Sequence, residues 1–297
     1  MIKYLNNKLQ WIATFIITFS FWILFGSTII NLYASLVYSL DIEKTFINST
    51  IYKYIGVNLP FLCIILGLYF TTKYINKTKI KLLINDSLII NYKLFIYTLI
   101  ESLGFLLVIT LIGNYLNLYD LTINSSSFSS RLIFILLALI FTPIQVLAEE
   151  LLFRSLLIKI IINKYQSLKN KKSNLLFSII ISLLIGLIFI IPHLLNPEVR
   201  SNFTSSIIYY FTFGALATLS ILITNGLEIA LATHLANNLL IALFCNYKNS
   251  ALPSISLFIK TNELSFSKYF DIIILIILFI IIGIFNKKRI REYFKIT

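Results

Sequence analysis

The hydrophobic positions of this chain form long, nearly unbroken runs that are separated by short polar segments. An α-helix needs about twenty apolar residues to cross a bilayer, and eight runs approach that length. We therefore predict an all-α fold, a polytopic transmembrane helical bundle with about eight spans. The predicted spans cover residues 11–36, 54–72, 94–116, 132–155, 174–193, 205–224, 226–245 and 268–286.

Composition supports this prediction and limits the number of domains. The 297 residues are 58% hydrophobic and 12% charged, whereas soluble domains carry about a quarter charged residues. No polar stretch is long enough to form a soluble domain of its own. We expect residues 1–297 to form a single membrane-embedded domain.

The formal net charge of +13 indicates contact with the lipid bilayer and argues against nucleic acid as a partner. Lys and Arg cluster at the ends of the apolar runs, where they meet lipid headgroups and fix orientation. The N-terminus, the segments after the second and fourth spans and the C-terminal tail hold 17 of these cations, against 7 in the opposite loops. This asymmetry predicts a multi-pass protein of the cell membrane with both termini cytoplasmic. The abundance of Ile, Asn and Lys suggests a bacterial source.

The first candidate motif is AEELLFR at residues 148–154, inside the fourth span. Glu150 and Arg154 have the spacing of an intrahelical ion pair, whereas Glu149 points about 100° away on the helix. Glu149 is therefore expected to lack a local partner, and a carboxylate in that position suits general-base work on water. The alternative is a pair of charges that reach for water at a helix end.

The chain has two histidines, and both lie in predicted spans. His193 ends the sequence FIIPH at 189–193, where it shares a helical face with Phe189 and follows Pro192, a residue that bends a helix and frees a carbonyl. His234 begins HLANN at 234–238 and lies on one face with Asn238. An imidazole and a carboxamide side by side can donate hydrogen bonds to an oxyanion. An interfacial histidine at position 193 and interhelical hydrogen bonding by Asn238 are the alternatives.

Polar residues outside these motifs have weaker claims to a function. Gln145 lies beside Pro143 and is a candidate donor to the site. Glu101 and Glu228 either line a cavity or pair with one another. For all three, a structural role is the simpler interpretation. His193 and Glu149 differ in their expected depth in the membrane, because His193 lies near the outer end of its span and Glu149 lies near mid-membrane. A bend or tilt must therefore bring them together.

Taken together, EELLFR, FIIPH and HLANN resemble the EExxxR, FxxxH and HxxxN motifs of the CPBP family of intramembrane proteases. That family includes the type II CAAX prenyl endopeptidases and the bacterial Abi proteins linked to bacteriocin immunity. The resemblance covers roughly residues 135–245, and we expect a protease-like catalytic core at 131–246.

The resemblance implies a role for each motif residue. Glu149 and His193 would activate water, and His234 and Asn238 would hold the oxyanion. Glu150 and Arg154 would be a supporting pair, and Phe189 would be a structural neighbour of His193. The family is often labelled a metalloprotease, and Glu149, His193 and His234 would be the ligands of a divalent metal such as zinc, which takes three protein ligands and a water in catalytic sites. A metal-free glutamate mechanism also fits these residues and is the one that we favour.

We therefore predict an intramembrane endopeptidase that hydrolyses a peptide bond of a membrane-associated protein or peptide. A catalytically silent bacteriocin-immunity or scaffold protein of the same fold is the first alternative. A secondary transporter with a proton relay is the second, although the sequence has no repeated pair of broken helices.

Overall fold

The computed structural model describes residues 8–40, 46, 49–85, 88–162, 171–264 and 267–288, and within this part of the chain six helical segments are long and apolar enough to cross a membrane. They run over Lys8–Ser39, Thr50–Tyr74, Tyr92–Tyr115, Phe128–Ile161, Leu175–His193 and Phe203–Thr224. Two shorter apolar helices, Glu228–Phe244 and Tyr269–Phe285, correspond to the seventh and eighth predicted spans. The predicted all-α, polytopic bundle is confirmed. Both chain termini lie outside the described residues.

In chain order the helices are α1 (Lys8–Ser39), α2 (Thr50–Tyr74), α3 (Lys81–Ile84), α4 (Tyr92–Tyr115), α5 (Phe128–Glu150), α6 (Leu156–Ile161), α7 (Lys171–Ile190), α8 (Pro197–Ser201), α9 (Phe203–Thr224), α10 (Glu228–Leu239) and α11 (Ser267–Phe285). Asn225 follows α9 in a left-handed conformation, with φ of 56°. Asn tolerates that conformation, so a turn at Asn225 and Gly226 separates α9 from α10.

Three interruptions of regular α-helix lie at or beside the sequence motifs. A π-helical turn at Leu151–Ser155 joins α5 to α6, and a second at Leu240–Phe244 extends α10. A 3-10 turn at Ile191–His193 ends α7. Such π-helical turns are rare and occur often at functional sites.

Helices α7 and α9 approach each other closely at two glycines. A Cβ atom at Gly186 would lie 3.0 Å from the backbone nitrogen of Ala215, and one at Gly214 would lie 3.0 Å from the Cβ of Phe189. Only glycine leaves this space free. The close approach buries Phe189 in the main hydrophobic cluster, with Leu152 and Phe213.

The connection from α2 to α4 is anchored to the start of α10. The Glu228 carboxylate accepts hydrogen bonds from Asn85 Nδ2 and from the Asn91 backbone nitrogen, both at 2.9 Å. The Leu227 nitrogen donates to the Ile84 carbonyl, also at 2.9 Å. Glu228 is thus a structural acid that holds this connection, and it does not line the large cavity of the bundle.

A small sheet accompanies the bundle, and the sequence did not predict it. Strands β1 (Asp120–Ile123), β2 (Cys245–Tyr247) and β3 (Phe258–Thr261) lie in the order β1-β3-β2. The β1–β3 pair is antiparallel and the β2–β3 pair is parallel. The sheet joins the connection between α4 and α5, which holds β1, to the connection between α10 and α11, which holds β2 and β3, so it ties together one end of the bundle.

Candidate functional site

A cavity of about 1070 Å³ lies within the bundle, and its wall includes Glu149, His193, His234 and Asn238. These side chains come from α5, the 3-10 turn after α7, and α10. The difference in depth expected from sequence is therefore bridged, since the turn at Ile191–His193 brings His193 to the same cavity as Glu149.

Glu149 lies near the end of α5, where it is 7% exposed. Its Oε1 atom accepts a hydrogen bond from Gln145 Nε2 at 3.2 Å, and its Oε2 atom lies 3.6 Å from His234 Nε2. The expectation that Glu149 lacks a local partner is wrong, because Gln145 lies one turn earlier on the same helix. Gln145 also lines the cavity.

Glu150 and Arg154 form the ion pair that their spacing predicts, and both side chains are fully buried. Neither lines the cavity. The Glu150 Oε1 atom also accepts from His234 Nδ1 at 2.7 Å. Glu150 therefore links α5 to α10 and holds the histidine, a contact that the motif spacing alone did not indicate.

Aromatic rings surround the buried guanidinium of Arg154. Its Cζ atom lies 4.0 Å from the ring centroid of Phe189 and 5.0 Å from that of Phe213. A cation over an aromatic face is stabilised by the ring quadrupole, and more strongly away from water. Phe189, which the resemblance makes a neighbour of His193, thus also packs against the supporting ion pair.

The tautomer of His193 follows from its hydrogen bond to the backbone. Its Nδ1 atom lies 2.7 Å from the Phe189 carbonyl oxygen. A carbonyl only accepts, so Nδ1 carries the proton and a neutral ring keeps Nε2 as an acceptor. The ring packs on Phe189 and Tyr210, with centroid separations of 4.6 and 4.1 Å.

His234 is oriented in the same way, by a different acceptor. Its Nδ1 atom donates to the Glu150 carboxylate, which leaves Nε2 directed at Glu149. A carboxylate bound to Nδ1 fixes the orientation of the ring and keeps the proton on that nitrogen. The ring centroid of Phe213 lies 5.0 Å away, so one side of the imidazole is apolar.

Asn238 lies one helical turn after His234 and is half-buried. Its Oδ1 atom accepts from Asn237 Nδ2 at 3.2 Å, and Asn237 Oδ1 accepts from the Tyr209 hydroxyl at 3.1 Å. Because Asn238 Oδ1 is engaged in this series of hydrogen bonds, Nδ2 is the group that Asn238 offers to the cavity as a donor.

Three further residues at the cavity were not identified from sequence: Tyr210, Glu198 and Lys260. Tyr210 stacks on His193, and its hydroxyl donates to Glu198. Lys260 lies in β3, with Nζ at 3.6 Å from Asp271 Oδ1. No motif marks these residues, and Glu198, an acid close behind the FIIPH motif, is the one that sequence could have suggested.

The end of the cavity next to the sheet is charged. The Lys260 Nζ atom lies 4.3 Å from the centroid of the Tyr119 ring. Burial lowers the pKa of Lys260, but Asp271 and Tyr119 raise it more, so that it lies above its usual value. Burial also raises the pKa of Tyr119, to about 12. At neutral pH this end of the cavity therefore holds a lysine cation and a neutral tyrosine.

The residues of the site do not fit a catalytic metal in this structure. Among the described residues, no three His, Cys, Asp or Glu side chains come together in a group that could hold a metal ion. No step of the reaction is therefore assigned to a metal held by Glu149, His193 and His234.

Known proteins match the part of the chain that carries this site. The family described as type II CAAX prenyl endopeptidase Rce1-like matches residues 128–240. The uncharacterized protein YyaK of Bacillus subtilis is 30% identical over 232 residues, which cover 75% of this chain and 72% of YyaK. No solved structure matches the chain. The described residues contain six membrane-length helices and a cavity lined by residues from all three motifs. With these two similarities, they lead to one conclusion: the chain belongs to the Rce1-like family of type II CAAX prenyl endopeptidases, a family of membrane proteases.

Proposed function

We propose that this protein is an active intramembrane endopeptidase in which Glu149 activates the attacking water. The observation that carries the proposal is the pairing of Glu149 with His234 at 3.6 Å in the wall of a large cavity inside a membrane bundle. Charged and imidazole side chains are costly within a membrane and are kept there mainly for function.

Glu149 Oε2 and His234 Nε2 lie 3.6 Å apart, which is too far for a good direct hydrogen bond and too near for a water to fit between them. Both residues line the cavity, so a cavity water can donate a hydrogen bond to Glu149 Oε2 from that side. Glu149 takes one proton from this water as the oxygen attacks the peptide carbonyl carbon. The same proton then passes to the leaving amine nitrogen when the C–N bond breaks. His193 offers Nε2 as a second acceptor for the water.

The oxyanion of the tetrahedral intermediate is assigned to His234 and Asn238. An imidazole that is protonated on both nitrogens donates from Nε2 as well as from Nδ1, and Glu150 holds the His234 ring in place through Nδ1. Asn238 Nδ2 supplies a second donor. Preorganised donors aimed at developing charge are usually the largest single contribution to such catalysis. Arg154 balances the charge of Glu150 in the protein interior.

The substrate is proposed to be a membrane-associated protein or peptide, such as a small bacterial peptide precursor. The cavity is lined both by apolar side chains, among them Trp22, Phe61 and Leu106, and by polar side chains, among them Asn202 and Ser206. Such a cavity accepts a chain that is partly lipid-facing and partly hydrated. We assign catalysis to residues 131–246 of a single domain, with both termini on the cytoplasmic side.

Peptide mass spectrometry of whole membranes tests the proposal and needs no identified substrate. Cells that express the wild-type protein, Glu149→Gln or Glu101→Gln at matched levels are compared. Glu101 is a half-buried acid of α4 that does not line the cavity, so Glu101→Gln makes the same chemical change away from the site. Wild-type and Glu101→Gln cells should share cleaved peptides that Glu149→Gln cells lack.

The outcomes separate the alternatives. If Glu149→Gln retained the same peptide products, the glutamate-base mechanism would be wrong. A scaffold or immunity protein would keep its cellular phenotype in Glu149→Gln cells, with identical peptide profiles in all three strains. A transporter would lose flux of its solute with no change in peptide mass.

A further inference from the structure

The chain holds His193 through a second set of residues that lies outside the three motifs. The Tyr210 ring stacks on the His193 imidazole at 4.1 Å, with 30° between the two planes. The Tyr210 hydroxyl donates to Glu198 Oε1 and accepts from Asn196 Nδ2 at 3.0 Å. Tyr210 therefore has both its ring and its hydroxyl engaged.

Glu198 connects the stack of Tyr210 on His193 to the loop that follows β2. Its Oε2 atom accepts from the Ala251 backbone nitrogen at 2.9 Å, in the loop between β2 and β3. Asn196 Nδ2 also lies 3.3 Å from Glu198 Oε1. One carboxylate thus ties together the turn after His193, helix α9 and the loop that follows β2.

We propose that Tyr210 and Glu198 are positioning residues for His193: they keep its ring against the Phe189 carbonyl, so that Nδ1 stays protonated and Nε2 faces the cavity. The Nδ1 bond to Phe189 fixes one edge of the ring, but a single hydrogen bond leaves the ring free to rotate about it. Stacking on Tyr210 removes that rotation, and Glu198 fixes Tyr210. Neither residue touches the reacting atoms in this assignment.

The role of His193 in catalysis rests on the proposed function, but the position of its ring does not. The chain contains two histidines, so protein labelled with ¹⁵N-histidine gives two ring spin systems. His234→Gln identifies the signals of His193 by elimination. The nitrogen shifts report directly which nitrogen carries the proton, with no substrate required.

The test compares Tyr210→Leu, Tyr210→Phe and Glu198→Gln with the wild-type protein and with Tyr54→Phe. Tyr54 is a buried tyrosine whose hydroxyl lies 2.7 Å from Thr142 Oγ1, away from the cavity lining, so it controls for the loss of any buried hydroxyl. In Tyr210→Leu the ring of His193 should leave the Phe189 carbonyl and become a mixture of the two tautomers. The signals of His234 serve as an internal standard of folding.

Kinetics on a cleaved peptide provide the second measurement. Misplacement of a catalytic group by about 1 Å costs up to a hundredfold in rate, so kcat of Tyr210→Leu should fall by roughly ten- to a hundredfold with KM little changed. Tyr210→Phe keeps the stack and should lose only a few-fold, as should Glu198→Gln. Tyr54→Phe should match the wild type.

An unchanged His193 spectrum in folded Tyr210→Leu would overturn the positioning role, whatever its activity. A changed spectrum with wild-type kcat would confirm the positioning of the ring and remove His193 from the chemistry. If the wild-type protein cleaved no peptide, the proposed function would fail while the spectra still decided the positioning of His193.

Discussion

At the scale of single residues, two adjacent acids in one helix have different environments and are given different tasks. Glu149 contacts an amide and an imidazole at the cavity wall, whereas Glu150 is buried against Arg154 and His234. The Glu149 carboxylate is accessible to a cavity water, whereas the Glu150 carboxylate fixes His234 and pairs with the charge of Arg154. Adjacent positions on a helix point about 100° apart, which makes this division possible.

Gln145 should affect the chemistry through Glu149 alone. Gln145→Leu removes the hydrogen bond to Glu149 Oε1 and leaves that carboxylate free to rotate. Since hydrogen bonds to charged groups contribute about 1.5–3 kcal/mol, kcat should fall by roughly tenfold or more. Steady-state cleavage assays check this expectation, with Gln145→Glu as a comparison that adds a second negative charge. Wild-type kcat in Gln145→Leu would show that Glu149 needs no orientation.

The buried ion pair predicts non-additive stability. Arg154→Met leaves Glu150 charged and buried, and Glu150→Leu leaves Arg154 in the same state. Removal of one partner of a buried pair typically costs about 3–5 kcal/mol, whereas replacement of both is often close to neutral. The double variant should therefore recover most of the free energy of unfolding, measured by equilibrium unfolding in detergent micelles.

Activity should not recover with stability in that double variant. Without Glu150, His234 loses its acceptor at Nδ1 and with it the contact that fixes the orientation of its ring. Peptide cleavage should remain at least roughly tenfold below wild type, the equivalent of about 1.4 kcal/mol in the barrier. Additive destabilisation in the double variant, or full activity in it, would each contradict the assigned roles of the pair.

At the scale of elements, the long helices were predictable and the local breaks were not. Each apolar run from 11–36 onward has a helix at its position, because about twenty apolar residues satisfy both the bilayer and the backbone only as a helix. The π-helical turns at Leu151–Ser155 and Leu240–Phe244 have no hydrophobic signature. The strands of three or four residues are too short to show alternation, and their pairing joins distant parts of the chain.

The same contrast applies to the candidate site. The sequence singles out Glu149, His193, His234 and Asn238 as candidates because a polar group within an apolar run is itself a signal. Tyr210 and Glu198 were missed, because a tyrosine in a span and an acid in a loop are ordinary. The contact of Tyr210 with His193 forms only when α9 packs against the turn that carries the histidine, so no local sequence pattern marks it.

The 3-10 turn predicts the effect of removing Pro192. Proline has no backbone N–H and disrupts a regular helix at a cost of about 3 kcal/mol or more. In Pro192→Ala, α7 should continue through residue 193, and the backbone nitrogen of His193 should take the Phe189 carbonyl from the ring. We expect equal or higher stability and a kcat lower by roughly tenfold or more.

Pro60→Ala is the matched control for that variant. Pro60 lies inside α2 and does not line the cavity, so the same substitution there tests the effect of any proline removed from a span. Its kcat should equal that of the wild type. Equal kcat in Pro192→Ala would mean that the turn does not set the position of the histidine.

At the scale of the whole molecule, the contacts between loops agree with eight spans that alternate in direction, and the charge asymmetry alone predicts which side is cytoplasmic. The sheet joins segments before α5, after α10 and before α11, which eight alternating spans place on one side of the membrane. The contacts of Asn85 with Gly226 and of Leu83 with Ser155 join three segments that the same alternation places on the opposite side. The short helix α10, with its π-helical turn, connects these two sides, which supports its assignment as a span.

Cysteine labelling gives a direct test of that orientation. Lys79 and Ser125 are both exposed and lie beyond opposite ends of α4, and the natural cysteines, Cys63 and Cys245, are buried, so the wild-type background should be low. A membrane-impermeant maleimide should label Ser125→Cys in intact cells and Lys79→Cys only after permeabilisation, because the cation-rich segments face the cytoplasm. The reverse pattern would place the sheet and the Lys260 end of the cavity on the cytoplasmic side. Substrates that enter the cavity at its Lys260 end would then reach Glu149 from the cytoplasmic side.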